Sequence, residues 1–342
     1  MIASEVRPTR GAQAEEHRKD VDLVFEGGGL KGIALVGAYS VLEEHGYVPQ
    51  NMAGASAGAI VAALLAAGYT ASELREVIGA LDLPSLEDRR GRLPIFSKTV
   101  SILEHRGIYE GKALLRWLTS LLEAKGVRTF GDLVRRPDAD LRYRYKLQVI
   151  ASDLTAERLL VLPRDAHWLG VEDPDELSVA LAVRMSMSIP LFFESVSFKE
   201  PKTGREHLLV DGGMLSNFPV WLFDSEEPLW PTIGVKFIED DPRAPLAAPR
   251  VRGGIFGLVD YTRSLVETIM EAHDRFYLEE TDFHRTIAID PLGVRTTEFD
   301  LSRERALELY ASGRAAAEEF LGSGWDTPGG GSRKEDHVHP RV

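Results

Sequence analysis

Asp22-Leu-Val-Phe-Glu-Gly-Gly-Gly-Leu-Lys-Gly-Ile33 is an apolar run that ends in a glycine-rich turn, and Gly54-Ala-Ser-Ala-Gly58 closes a second, shorter one. Around both, the residue pattern switches from strand to helix. Val21 to Glu26 reads as a buried strand. Lys31 to His45 reads as a helix with Leu35, Tyr39 and Leu42 on one stripe, closed by Gly46. Asn51 to Ala55 reads as a short strand, and Ala57 to Ala67 as an apolar helix buried on most sides.

Outward from this pair the alternation continues. Thr70-Ala-Ser-Glu73 is a capping box that opens a helix with Leu74, Val77 and Leu81 inward. Lys112 to Ala124 is helical, Leu147 to Asp153 and Leu159 to Leu162 are strands, and Asp173-Pro174 caps a helix predicted to run to Met187. Phe192 to Phe198 and His207 to Val210 read as strands paired in a hairpin across Pro201 to Arg205. Thr232 to Phe237 and Arg285 to Ile289 read as strands, and 255–279 and 303–320 as helices. Repeated βα alternation implies an α/β fold with a mainly parallel central sheet covered by helices. No Pro/Gly/Ser-rich linker divides it. Residues 21–321 are therefore expected to form one domain between disordered tails at 1–20 and 322–342, and His337 and His339 read as parts of a solvated tail.

Composition removes several functions. A formal charge of −13 argues against a general nucleic-acid binder, which needs a basic face. The absence of cysteine excludes disulfides, thiolate metal sites and a cysteine nucleophile. The polar stretch 1–20 lacks the apolar core of a signal peptide, and the apolar helix at Ala57 to Ala67 is too short to span a bilayer. The expected location is cytoplasmic.

Gly-x-Ser-x-Gly between a strand and a helix is the pattern of a nucleophile elbow. The serine sits on a strained turn, so its neighbours must be small, and here all four are Gly or Ala. A helix that starts at Ser56 favours negative charge there. A tight turn with a capping serine is the plain alternative. Gly27-Gly28-Gly29-Leu30-Lys31-Gly32 also satisfies Gly-x-Gly-x-x-Gly, the dinucleotide fingerprint. That reading needs an acidic residue at the end of the second strand to hold a ribose. The second strand ends Met52-Ala53-Gly54-Ala55-Ser56 and delivers a serine instead. The glycines are better read as a nest of backbone N–H groups for an oxyanion, with Lys31 either adding positive field or solvated at a helix start.

A serine nucleophile needs a base. His273 and His284 lie outside any Gly/Pro-rich loop after a strand, and a structural or surface role is preferred for both and for His207. Asp211, in Leu208-Leu-Val-Asp-Gly-Gly213, ends an apolar strand and precedes two glycines. Strand C-termini converge on the site in parallel α/β sheets, so Asp211 is expected to join Ser56 and Gly27 to Gly29 there. Asp-Gly-Gly is also an ordinary turn signal, and the conjunction of three strand-end motifs decides between the two.

These residues resemble the patatin-like phospholipases, which carry a glycine-rich oxyanion motif, a Gly-x-Ser-x-Gly elbow and an Asp-Gly-Gly or Asp-Gly-Ala motif in that order. Arg184-Met-Ser-Met-Ser-Ile-Pro190, Ala151-Ser-Asp-Leu154 and Asn217-Phe-Pro219 are similar to family segments too. The resemblance implies a three-layer α/β/α fold and a Ser–Asp dyad, with Ser56 as nucleophile and Asp211 as proton acceptor. It places the oxyanion hole in the Gly27–Gly32 turn, at the amides of Gly28, Gly29 and Leu30. Gly54 and Gly58 flank the elbow, and Gly212 and Gly213 follow the aspartate. Elbow geometry adds the N–H of Ala57. The implied reaction is cleavage of fatty-acyl esters of phospholipids or lysophospholipids through an acyl-enzyme, with no cofactor and no metal. An unperturbed Asp, with a pKa of about 3.9, is ionised at neutral pH but is a weak base, so the oxyanion hole is expected to supply much of the rate.

The competing functions are a thioesterase or transacylase on the same dyad, a nucleotide-binding regulator using Gly27–Gly32, and a silent scaffold. Residues 84–109 are rich in Pro, Arg and Gly without a clear period. Pro94-Ile-Phe96, Val100, Ile102 and Leu103 stand beside Arg89, Arg90, Arg92 and Lys98, a mixture that suits either a loop folded onto the body or a lid that touches a membrane. Trp221-Leu-Phe223 and Trp230 carry the same ambiguity. Lipid substrate and transient membrane contact are the expected partners, and nothing in the chain names a protein partner.

Overall fold

The computed structural model describes residues 18–79, 107–109, 111–137, 140–238, 265–266, 268–269, 280–296 and 301–325. Its strands are β1 (Lys19–Phe25), β2 (Tyr47–Gly54), β3 (Gly107–Tyr109), β4 (Leu147–Asp153), β5 (Arg158–Leu162), β6 (Leu191–Phe193), β7 (Val196–Lys199), β8 (Glu206–Asp211), β9 (Thr232–Phe237) and β10 (Thr286–Ile289). The main helices are α1 (Gly32–Glu44), α2 (Ser56–Ala66), α3 (Ala71–Gly79), α4 (Lys112–Ala124), α5 (Val179–Ser186) and α6 (Arg303–Gly322).

Eight strands form one sheet in the order β10-β9-β1-β2-β4-β8-β7, with β5 paired to β4 off that path. The pairs β1–β2, β1–β9, β9–β10 and β2–β4 are parallel. β5 and β8 run antiparallel to β4, and β7 antiparallel to β8 in the expected hairpin. The fold is the expected α/β class, parallel through its centre and antiparallel at one side. β3 and β6 make a separate two-stranded pair, so Gly107 to Tyr109 are strand within the stretch read as an excursion. The rest of 80–106 lies outside the described residues, as does most of the helix expected at 255–279.

The orientation of β8 corrects one expectation. β1 and β2 deliver the glycine turn and Ser56 from their C-terminal ends, but β8 runs the other way and brings Asp211 in from the opposite direction. Register makes them meet. Gly54 faces Val149 and Asp211 faces Ala151 along the same edge of β4, whose other edge is taken by β5. Asp211 therefore stands at the level the elbow reaches two residues past Gly54.

Alternation along the strands builds two cores. Val21, Leu23 and Phe25 face the larger one with α1 and α2, whereas Val24, Ala53 and Ile150 face a smaller one capped by Tyr143, Val220, Leu222 and Phe223. Leu222 and Phe223 are thus core, while Trp221 stays 42% exposed. α1 is buried almost all round because α6 lies directly on it. A Cβ at Gly37 would stand 2.1 Å from the Tyr310 carbonyl oxygen, and one at Gly313 1.9 Å from that of Ala34, so only glycine lets the two backbones come this close. Arg314 then clamps the pair through Ser40 and Glu44.

Local signals set most boundaries. The Thr70 capping box closes in both directions, Thr70 N–H to Glu73 and Glu73 N–H to Thr70 Oγ1. α4 occupies the predicted Lys112–Ala124 and buries Leu114, Leu118 and Leu122, a spacing of one helical face. The helix predicted from Asp173 to Met187 is instead two pieces. A 3-10 turn at Pro174–Glu176 is capped by Asp173, and α5 starts afresh behind the Ser178 cap. Between them Leu177 gives its carbonyl to Phe130 N–H, and Ser178 bridges Thr129, so the backbone there is committed to another segment. β1 begins at Lys19, and Trp325 packs on Phe320 at 5.0 Å between ring centroids, so both ends of the body lie beyond the expected limits of 21 and 321.

Candidate active site

Ser56 sits where β2 turns into α2. Its φ of +50° is left-handed, a conformation of order 1–3 kcal/mol above the usual wells for a residue with a Cβ. The flanking glycines permit the turn. A Cβ at Gly54 would stand 2.5 Å from the Gly58 carbonyl, and one at Gly58 2.3 Å from the Phe25 carbonyl oxygen. The strain is held from outside the elbow: the Ser56 N–H donates to Ser186 Oγ at 2.9 Å. The Ser56 hydroxyl donates to Met187 Sδ at 3.7 Å. Both Ser56 and Asp211 are fully buried.

Asp211 ends β8 with one carboxylate oxygen satisfied and one not. Oδ1 accepts the Gly213 N–H at 2.8 Å, and Oδ2 has no hydrogen-bond partner among the described residues. Its own N–H donates to the Ser188 carbonyl at 3.0 Å. Burial pushes the Asp211 pKa up to about 7, while the Gly213 amide and the nearby Ser56 hydroxyl pull it down. Serine and aspartate are neighbours, with the hydroxyl turned to the sulfur and not to the carboxylate. The pKa corrects the expectation of a weak base near 3.9, which ignored desolvation.

The glycine turn packs against the same point. Glu26, just before it, is buried and tied to β9 through Lys236 Nζ at 2.8 Å and Phe237 N–H at 2.6 Å. Asn217 brackets the turn: its carbonyl accepts the Gly27 N–H, and its side-chain amide donates to the Gly27 carbonyl. A Cβ at Gly27 would strike Asn217 and come within 3.0 Å of Ser56 Cβ. Gly28 abuts the Phe237 ring, and Gly29, at φ +59°, abuts the Thr296 carbonyl. Gly29 to Lys31 form a 3-10 turn, and Gly32 opens α1 within van der Waals reach of Ala57. Among the described residues no acceptor takes up the amides of Gly28, Gly29 and Leu30. Lys31 is buried with Nζ 4.5 Å from the centroid of the Phe237 ring, so it is not the solvated lysine of a helix start.

The places where side chains would stand at Gly27, Gly28 and Gly29 are thus taken by Asn217, the Phe237 ring and the Thr296 carbonyl. His207 bridges Asp153 Oδ2 at 2.6 Å and Glu200 Oε1 at 3.0 Å, so both ring nitrogens are committed. His284 is exposed, and His273 lies outside the described residues. Sequence reasoning assigned no task to Ser186, Met187, Ser188 or Asn217, although the segments Arg184–Pro190 and Asn217–Pro219 stood out as family-like. Arg184 anchors the first of these, donating to the Gly111 and Glu194 carbonyls and to Ser188 Oγ.

Residues 23–224 match the family model described as Patatin-like phospholipase. The chain belongs to the patatin-like phospholipase family. Membership places this patatin-like chain among lipid ester hydrolases. It is 42% identical to YqhO of Bacillus subtilis (strain 168) over 303 residues, 88% of this chain and 98% of YqhO. It is 30% identical to an NTE family protein of Mycobacterium tuberculosis (strain CDC 1551 / Oshkosh) over 205 residues, 59% of this chain and 27% of that protein. The crystal structure of VipD from Legionella pneumophila shares the patatin-like fold, with a TM-score of 0.51 at 18% identity over 90% of this chain and 67% of VipD. Among the described residues no helix is long and apolar enough to cross a membrane, and no group of three or more His, Asp or Glu side chains is placed to hold a metal ion.

Proposed function

We propose that the protein is a serine acyl hydrolase that cleaves fatty-acyl esters of phospholipids or lysophospholipids with Ser56 as nucleophile and Asp211 as its base. The observation that carries this is the meeting of a strained serine, a buried carboxylate with a free oxygen, and unengaged amides on one loop. Ser56 Oγ turns from Met187 to Asp211 Oδ2, gives up its proton and attacks the ester carbonyl carbon. The oxyanion lies against the amides of Gly28, Gly29 and Leu30; one such donor is typically worth ~3–4 kcal/mol of barrier. The C–O bond to the alcohol breaks, and protonated Asp211 supplies the proton the alcohol carries away. Water, deprotonated by the same carboxylate, then splits the acyl-enzyme and releases the fatty acid. A base with a pKa near 7 is half ionised at neutral pH and takes the serine proton with less penalty than an ordinary carboxylate.

The test is turnover of phospholipids, lysophospholipids and p-nitrophenyl esters by the wild-type protein and by Ser56→Ala and Asp211→Asn, together with fluorophosphonate labelling read by peptide mass spectrometry. Loss of activity in both variants and an adduct on Ser56 are expected. Full activity in Asp211→Asn, or an adduct on another serine, overturns the dyad. Transfer of the acyl group to an alcohol or thiol in preference to water would make the reaction a transacylation.

A further inference from the structure

Two adjacent glycines are the easiest place in a chain to turn a peptide plane over, because neither flanking Cα carries a side chain that restricts φ or ψ. The plane between Gly27 and Gly28 is such a place, and it carries one of the amides assigned to the oxyanion. In a planar trans peptide the carbonyl and the N–H point in opposite directions, so whatever holds the Gly27 carbonyl also fixes where the Gly28 N–H points. A flip would set a carbonyl where the oxyanion needs a donor.

The hold comes from Asn217. Its Nδ2 donates to the Gly27 carbonyl at 3.3 Å, and its main-chain carbonyl accepts the Gly27 N–H at 3.1 Å, so one residue grips the peptide planes on both sides of the Gly27 Cα. The next plane is held within the turn, where the Lys31 N–H donates to the Gly28 carbonyl at 3.2 Å. Nδ2 also donates to Glu26 Oε1 at 3.4 Å, so a turned-over amide head would set its oxygen against two acceptors. Oδ1 lies instead where a Gly27 side chain would be, 2.2 Å from that Cβ position, and has no hydrogen-bond partner among the described residues. Asn217 is 7% exposed, and Glu26 is itself fixed by Lys236 and the Phe237 N–H. Phe218, buried in the smaller core, anchors the backbone next to it. We infer that Asn217 is a positioning residue, whose side-chain amide locks the Gly27–Gly28 peptide so that the Gly28 N–H stays turned to the oxyanion. It acts through that amide and not on the ester itself, and the inference rests on the Ser56–Asp211 reading.

The experiment compares a p-nitrophenyl ester with its thiono counterpart, whose carbonyl oxygen is replaced by sulfur, a poor hydrogen-bond acceptor. The proteins are the wild type, Asn217→Ala and the similarly sized Asn217→Leu. Since losing one oxyanion donor costs about 10²–10³ in kcat, a misaimed one is expected to cost about 10- to 100-fold for the ester in both variants, with little change in KM. The thionoester should lose less, so the ester-to-thionoester ratio of kcat should fall as well. An unchanged kcat, or a loss shared equally by both substrates, in folded variants whose Ser56 still takes fluorophosphonate overturns the inference and leaves the dyad standing. Where neither variant folds, the wild-type protein decides. With isotope-labelled glycine, the Gly28 amide proton should move downfield in the nuclear magnetic resonance spectrum once a fluorophosphonate adduct on Ser56 brings its phosphoryl oxygen to the turn. An unmoved Gly28 signal overturns the inference. Undiminished turnover by Ser56→Ala overturns the dyad itself.

Discussion

Gly54 and Asp211 lie two residues apart along one edge of β4, Gly54 opposite Val149 and Asp211 opposite Ala151, with β5 on the other edge. The interval matches the two residues that separate Gly54 from Ser56. One strand thus gauges the distance between a serine from a parallel neighbour and a carboxylate from an antiparallel one. A slip of one residue in the β4–β8 ladder would turn Asp211 to the other face of the sheet, and one in the β2–β4 ladder would do the same to the residues leading to Ser56.

The pH dependence of activity should report Asp211. Burial lifts its pKa to about 7, so kcat/KM for ester cleavage is expected to rise as pH passes through that value and to level off above it. A pH–rate profile checks this, and a profile flat across neutrality contradicts it.

Stability should move the opposite way. The native state keeps a proton on Asp211 that the unfolded chain releases near an ordinary pKa of about 3.9. The stability linked to that proton is full below the unfolded pKa and is lost as pH rises through about 7. Asp211→Asn has no carboxyl to ionise. Its Tm relative to the wild-type protein is expected to gain more in alkaline than in acid buffer, while activity falls, and calorimetry across pH measures it.

Removing the Ser186 hydroxyl leaves the Ser56 N–H buried without an acceptor. Such an orphan costs ~1–3 kcal/mol, so Ser186→Ala should lower the urea midpoint by that equivalent. Because the freed amide belongs to the nucleophile, kcat should drop with little change in KM. An unaltered kcat in a destabilised protein would show that Ser186 serves the fold alone.

Met187→Leu exchanges a thioether acceptor for an isosteric hydrocarbon, a swap that usually costs less than ~1.5 kcal/mol. The Ser56 hydroxyl then has Asp211 Oδ2 as its alternative acceptor. Stopped-flow or gel-based kinetics should find faster acylation by fluorophosphonate; slower acylation would mean that the sulfur helps to place the hydroxyl.

Gly313→Ala introduces a methyl 1.9 Å from the Ala34 carbonyl oxygen, where only backbone movement can relieve it. Overpacking of this kind costs ~1–3 kcal/mol, and the urea midpoint should fall accordingly with the active site untouched.

Much of this protein is legible as sequence because it is decided between near neighbours. The strand–turn–helix units at Asp22–Ile33 and Gly54–Gly58, the Thr70 capping box and the bounds of α4 follow from periodicity, caps and glycines within a few residues. So does the family, whose motifs stand in order along the chain. What the sequence did not disclose depends on residues far apart. Leu177 looked helical until a partner at Phe130 claimed its carbonyl. The sequence left Lys31 open between a solvated helix start and a place beside the glycine turn, and its burial against Phe237 removes the first. Ser186 touches Ser56 from 130 positions away.

By itself, then, the sequence determined that an α/β chain carries a serine on a tight turn, a glycine nest and an aspartate after a strand. Only the tertiary structure decided that β8 runs antiparallel, that Asp211 is desolvated enough to hold a proton near neutral pH, and that Met187 engages the serine. Strand direction, burial and side-chain contact are set by packing between segments, and no local period in a sequence encodes them.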